Sequence, residues 1–95
     1  MRIMYYVYIL KSERDSKLYT GYTKDLKRRI SEHNRGKTNS LKQRIPFKLI
    51  YYETKETLKE AIKREKYFKS GWGRKYINEL IAKMPRWRNL ADAHG

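Results

Sequence analysis

Residues 3 to 23, "IMYYVYILKSERDSKLYTGYT", decide how this chain folds. "IMYYVYIL" at 3 to 10 and "KLYTGYT" at 17 to 23 are dense in β-branched and aromatic side chains, and the polar "KSERDS" between them suits a hairpin loop. The stretch is therefore expected to form two antiparallel strands. Side chains alternate across a strand, so Tyr6 and Tyr8 share one face of the first strand, and Tyr19 and Gly21 share one face of the second. A glycine in mid-strand weakens the sheet unless a backbone, bulge or ligand must come close, which marks Gly21 for attention.

Beyond the hairpin, Thr23 is placed to cap a helix over 24 to 34 whose first turn carries Asp25, and Gly36 can take the left-handed position that ends it. "KTNSLKQRIP" at 37 to 46 is polar, basic and without period, hence a surface loop able to follow a phosphate backbone. "FKLIYYE" at 47 to 53 is a third strand. Thr54 would cap the next helix, which runs to Lys69 with Glu60 and Arg64 paired at i, i+4 on its outer side. "SGWG" breaks the chain before a last helix at 74 to 83 that turns Ile77, Leu80 and Ile81 inward. The order ββαβαα predicts an α/β (α+β) sandwich, a small three-stranded antiparallel sheet flanked by helices. One domain is expected over 1–83, with 84–95 as a tail in which Trp87 packs back or "PRWRNL" docks a partner.

Twenty-four Lys and Arg against 10 Asp and Glu give a net charge of +14, spread along all 95 residues. Such self-repulsion is tolerable when the usual partner is a polyanion. A membrane surface would call for a lipid anchor or a basic amphipathic helix with Trp, Phe and Leu opposite the charges, and neither is evident. No run approaches the roughly 20 apolar residues that span a bilayer, and the N-terminal run lacks a small-residue cleavage site. The absence of cysteine excludes disulfides, thiolate catalysis and Cys-based zinc sites. A soluble, cytoplasmic protein that binds nucleic acid is expected, with no membrane partner.

Two helices place ionisable groups where core contacts should be. Leu58, Ala61, Ile62, Phe68 and Lys69 form one stripe, and Glu65 projects from its middle. In the first helix, Arg29 and His33 fall on the face defined by Leu26 and Ile30, whereas Arg28 and Glu32 point elsewhere. Burying an unpaired charge is costly, so each group needs a partner or a wet cleft; a purely structural Glu65–Arg29 ion pair is one solution. The other is chemical. Phosphodiester hydrolysis needs neutralised phosphate oxygens, a deprotonated water and help for the leaving oxygen. Arg29 can neutralise as a forked donor, and Glu65 can hold one Mg²⁺ or Mn²⁺ that keeps most of its waters. Tyr8 or Tyr19, its pKa pulled down by metal and arginine, can act as general base, with His33 donating to phosphate or assisting the base.

"YVY" at 6 to 8, "YTG" at 19 to 21, "LKRRISEHN" at 26 to 34 and "AIKREKYFK" at 61 to 69 together resemble the signature of the GIY-YIG nuclease family, in order and spacing. Within it, the chain is similar to the N-terminal nuclease domain of the bacterial excision-repair endonuclease. The resemblance implies a stand-alone, single-metal endonuclease domain serving DNA repair or recombination. Tyr8 and Tyr19 then match the motif tyrosines, Gly21 the motif glycine, Arg29 the catalytic arginine, His33 the residue one turn on and Glu65 the metal ligand. Asn78 is the nearest match to an asparagine that follows the glutamate helix. Tyr6 stands where the family name has glycine, and Thr20 where it has isoleucine; neither exchange removes a reactive group. Tyr6 and Tyr22 are further candidates for contact, and Lys24, Arg28, Lys37, Lys42, Arg44, Lys69 and Arg74 for holding nucleic acid. DNA is the favoured substrate, with RNA an alternative and a protein partner a source of specificity. A noncatalytic nucleic-acid-binding module on the same scaffold is the competing reading.

Overall fold

The computed structural model describes residues 3–83. Strands β1 (Tyr5–Ser12) and β2 (Leu18–Thr23) lead into helix α1 (Leu26–Asn34), a 3-10 helix (Asn39–Arg44), strand β3 (Phe47–Lys55), and helices α2 (Leu58–Lys69) and α3 (Gly71–Ala82). The sheet is antiparallel in the order β2-β1-β3, so β1 is central and β2 is a free edge. The α+β sandwich expected from the sequence is what forms.

Apolar residues run continuously through β1 because both of its faces are covered. Val7 and Ile9 join Ile50, Ala61, Phe68 and Ile77 in one buried cluster under α2 and α3. Tyr8 and Leu10 join Leu41, Phe47 and Leu49 in a second, against which Leu26 and Ile30 of α1 pack. Alternation lets β1 serve both clusters, and its pairing with β3 contains a bulge. Ile9 faces Tyr51 across the ladder and Leu10 faces Leu49, leaving Ile50 as the extra residue.

Several boundaries differ from the sequence-based expectation, each for a local reason. Asp25, not Thr23, caps α1, its side chain accepting from the Arg28 amide at 3.1 Å, while the Thr23 hydroxyl accepts from the Asp25 amide. Gly36 takes the left-handed conformation expected of it, at φ 76°. The segment 37–46 is not wholly irregular, because burial of Leu41 winds Asn39–Arg44 into the 3-10 helix. Thr57 rather than Thr54 caps α2, its hydroxyl accepting from the Glu60 amide, since pairing with β1 carries β3 on to Lys55. "SGWG" does not break the chain: Ser70 ends α2 and also caps α3, which starts at Gly71. Gly73 permits the corner, because a Cβ there would overlap the Tyr67 carbonyl. Leu58 is exposed, so Ala61 and Phe68 hold α2 to the sheet with half-buried Ile62. Ile77 is buried, Ile81 packs on the first cluster, and Leu80 is only half-buried. The tail at 84–95, with Trp87, lies outside the described residues.

The anticipated Glu60–Arg64 pair does not form. Arg64 instead donates twice to Glu53 of β3, at 2.8 and 3.1 Å, and its guanidinium lies over the rings of Tyr67, Phe68 and Tyr76.

Candidate active site

The free edge of β2 opens onto a cleft of about 600 Å³. Tyr8 enters from β1, Tyr19, Gly21 and Tyr22 from β2, Arg28, Arg29 and Glu32 from α1, and Glu65 from α2, with Lys24 and Asp25 at the rim. Residues separated by some 57 positions thus face one space, because α2 reaches the edge that the hairpin and α1 share.

Gly21 lies opposite Tyr8 in the ladder. A Cβ on Gly21 would sit 2.5 Å from the Tyr8 hydroxyl and 2.7 Å from Cζ, closer than real contacts allow, so only glycine leaves the phenol its place. The close approach anticipated for this position is therefore made by a side chain of the same sheet.

Tyr8 is 1 % exposed, and its hydroxyl lies 3.1 Å from Nε2 of the fully buried His33. The other ring nitrogen, Nδ1, lies 3.1 Å from the hydroxyl of Thr38. The Arg29 guanidinium lines the same cleft, close enough to the Tyr8 hydroxyl to lower its pKa. An arginine offers no acceptor, so the phenol hydrogen is satisfied by Nε2, which leaves the proton of a neutral imidazole on Nδ1, donating to Thr38. The imidazole is held neutral: burial pushes its pKa down and the Arg29 charge pushes it further.

Burial also raises the Tyr8 phenol to about 12, outweighing the nearby Arg29 guanidinium that lowers it. Here the folded protein reverses the expected depression: Tyr8 is a neutral phenol at neutral pH. Burial likewise lowers the Arg29 pKa, but the neighbouring Tyr8 and the hydrogen-bonded Glu32 outweigh it and fix the positive charge. Tyr19 stands edge-on to His33 at 5.3 Å between ring centroids and 6.4 Å from Tyr8. Among the described residues its hydroxyl has no hydrogen-bond partner, so it is free for a ligand.

A structural Glu65–Arg29 ion pair is not what holds these charges. Arg29 pairs with Glu32 at 3.3 Å, and Glu65 with Lys69 at 3.4 Å. Glu32 and Arg28, expected to point away, both line the cleft; Glu32 accepts from both arginines, which hold it ionised against the effect of burial. The spacing of Glu32 at +3 from Arg29 and +4 from Arg28 was the available signal. Thr38 was missed because nothing in a polar loop announces which hydroxyl meets a buried ring.

The remaining candidates are dispersed. Lys24 joins the cleft rim, whereas Arg44, Lys69 and Arg74 line a second cleft beside it. Arg44 is already engaged, with Asp15 at 2.8 Å and the Leu18 carbonyl at 3.4 Å. Lys37 and Lys42 are exposed and line neither cleft. Asn78 is exposed on α3 and away from both clefts, and Tyr6 packs on Tyr52 at 6.0 Å instead of facing the site.

Known proteins resemble this chain over most of its length. A UPF0213 protein of Staphylococcus aureus (strain Mu3) is 48% identical over 62 residues, covering 64% of this chain and 74% of that one. A UPF0213 protein of Staphylococcus saprophyticus is 47% identical over 62 residues, with the same coverage. The solution NMR structure of a UPF0213 protein from Bacillus halodurans is 33% identical and superposes with a TM-score of 0.53, covering 85% of this chain and 88% of that one. No described helix is long and apolar enough to cross a membrane. Residues 4–78, which include the hairpin, α1 and α2, match the model of the GIY-YIG catalytic domain. The chain belongs to the GIY-YIG family of nuclease domains.

Proposed function

We propose that this protein is an endonuclease that hydrolyses phosphodiester bonds in DNA, with structure-selective or weak sequence preference, using one Mg²⁺ or Mn²⁺ ion. The observation that carries the reading is the cleft in which Glu65 meets Tyr8, Tyr19, Gly21 and Arg29. A binding module has no use for an inward carboxylate beside a buried phenol and imidazole.

Arg29 neutralises the phosphate, its fork free to serve a nonbridging oxygen when Glu32 yields one hydrogen bond. Lys24 and Arg28 draw the anion to the cleft. Tyr8 is the proton-handling group: it takes a proton from the attacking water while its own passes to Nε2 of His33, which Thr38 keeps in the accepting tautomer. The negative charge of a bound phosphate raises the basicity of His33 and so favours the transfer. Tyr19 offers its hydroxyl to the substrate. Gly21 supplies only space.

The donor set fits a hard cation. Among the described residues no three His, Cys, Asp or Glu converge, so Glu65 would supply a single carboxylate and water the other positions, a pattern that suits Mg²⁺ or Mn²⁺. Bound there, the ion would stabilise charge on the phosphate and leaving oxygens.

The test is a cleavage panel of linear, nicked and branched DNA, and matched RNA, with Mg²⁺ or Mn²⁺. Wild type cuts at least one DNA form, and Glu65→Gln loses at least about a hundredfold in rate at unchanged melting temperature. Equal cutting by the variant removes the metal role, cutting of RNA alone reassigns the substrate, and no cutting of any form leaves the binding-module reading.

A further inference from the structure

The second cleft, of about 340 Å³, lies along the same edge of β2 and shares Tyr19 with the first. That volume is within the range of clefts that hold small ligands. Its rim carries three cations from three elements: Arg44 from the 3-10 helix, Lys69 from the end of α2 and Arg74 from the first turn of α3. Its floor is apolar, built from Leu18, Phe68 and Ile77. No carboxylate lines it, in contrast to the first cleft with Asp25, Glu32 and Glu65. Arg44 is spent on Asp15 and Lys69 leans on Glu65, but the Arg74 side chain makes no ion pair or hydrogen bond among the described residues.

We propose that this second cleft is a nucleotide subsite, holding the residue of the substrate strand next to the one in the first cleft. The flanking phosphate meets Arg74 and Lys69, while sugar and base lie over the apolar floor of Leu18, Phe68 and Ile77. Charge complementarity selects this occupant. A cationic rim above an apolar floor matches a group that is anionic at one end and flat and apolar at the other. An acidic peptide would leave the floor uncovered, and a lipid tail would leave the rim unmatched. Continuity supports it too, because Tyr19 walls both clefts and the Lys69–Glu65 pair bridges them, so one strand laid along the β2 edge reaches both. The occupant is taken from the nuclease reading, but the subsite is tested without cleavage.

Metal-free, ¹⁵N-labelled protein is titrated with thymidine 3′,5′-bisphosphate, a single nucleotide flanked by two phosphates, and amide shifts are followed by NMR. Shifts at Leu18, Thr20, Lys69 and Arg74, lost in Arg74→Ala, are expected. Shifts confined to the first cleft, at Tyr22, Lys24 and Arg28, or no binding at millimolar ligand, overturn the proposal. In parallel, a fluorescent DNA 12-mer is bound at several salt concentrations. Arg74→Ala should weaken it about tenfold and reduce the salt slope by about 0.7 to 0.9. Lys59→Ala, removing an exposed charge at the start of α2, should change affinity less than about twofold. Equal losses from the two substitutions would mean that only net charge matters, and would also overturn the subsite. Absence of cleavage with a positive titration would count against the enzyme alone.

Discussion

A single missing side chain sets the geometry of the cleft. Because a Cβ at Gly21 would press on the Tyr8 hydroxyl, Gly21→Ala must push the phenol off His33 or bend the edge strand. Overpacking of this kind costs about 1–3 kcal/mol; urea unfolding should report that loss, with cleavage falling further than stability explains. The same residues define a pH window. His33 has its pKa lowered by burial and by Arg29, so its contribution is present above the unfolded value of about 6.5 and lost as pH falls. Tyr8 is raised to about 12, so its contribution is fully present below the unfolded value of about 10 and lost as pH rises through 12. Denaturation midpoints should therefore decline below about pH 6.5 and again above about pH 10. His33→Phe should flatten the first decline, and Tyr8→Phe should reduce the second, which Tyr51 shares because burial and Glu53 raise its pKa too; unchanged slopes would contradict the assignment.

At the scale of elements, one side chain ties the α2–α3 corner to the sheet. Arg64 reaches from α2 to Glu53 on β3 and spreads under the rings of Tyr67, Phe68 and Tyr76, while the Tyr51 hydroxyl donates to the same carboxylate at 2.6 Å. Arg64→Met should cost about 1–3 kcal/mol, since a half-buried Glu53 loses its forked donor. Measured by urea unfolding with Glu53→Gln as second site, the two substitutions should be less than additive; strict additivity would mean that the pair contributes nothing. The sequence spacing pointed to Glu60 for Arg64 because i, i+4 pairs are visible in one dimension. A strand that returns beside the helix offered a better acceptor, and no local pattern contains that.

For the whole molecule, the net charge of +14 is distributed so that the β2 edge carries cations from α1, the 3-10 helix, α2 and α3. If roughly four to six of them meet phosphates, DNA affinity should fall by about 10² to 10³ between 50 and 200 mM salt. A flat anisotropy titration across that range would sink the electrostatic footprint.

The sequence by itself determined the hairpin, the order of strands and α-helices and the four motifs, because strand alternation and apolar stripes are local patterns; it misplaced the helix caps, which depend on how far each strand stays paired. It also singled out Glu65, Arg29 and His33, since a charged or polar residue on an apolar stripe can be seen without coordinates. Only the tertiary structure decided which groups touch: that Glu65 and Arg29 share a cleft but take separate partners, that Tyr8 binds His33 behind the surface, and that Thr38 supports the ring. Those contacts join residues brought together by packing across a sheet edge. The Tyr8 phenol shows why this matters, since its pKa depends on how much water is removed, a property of the assembled fold that no stretch of sequence carries.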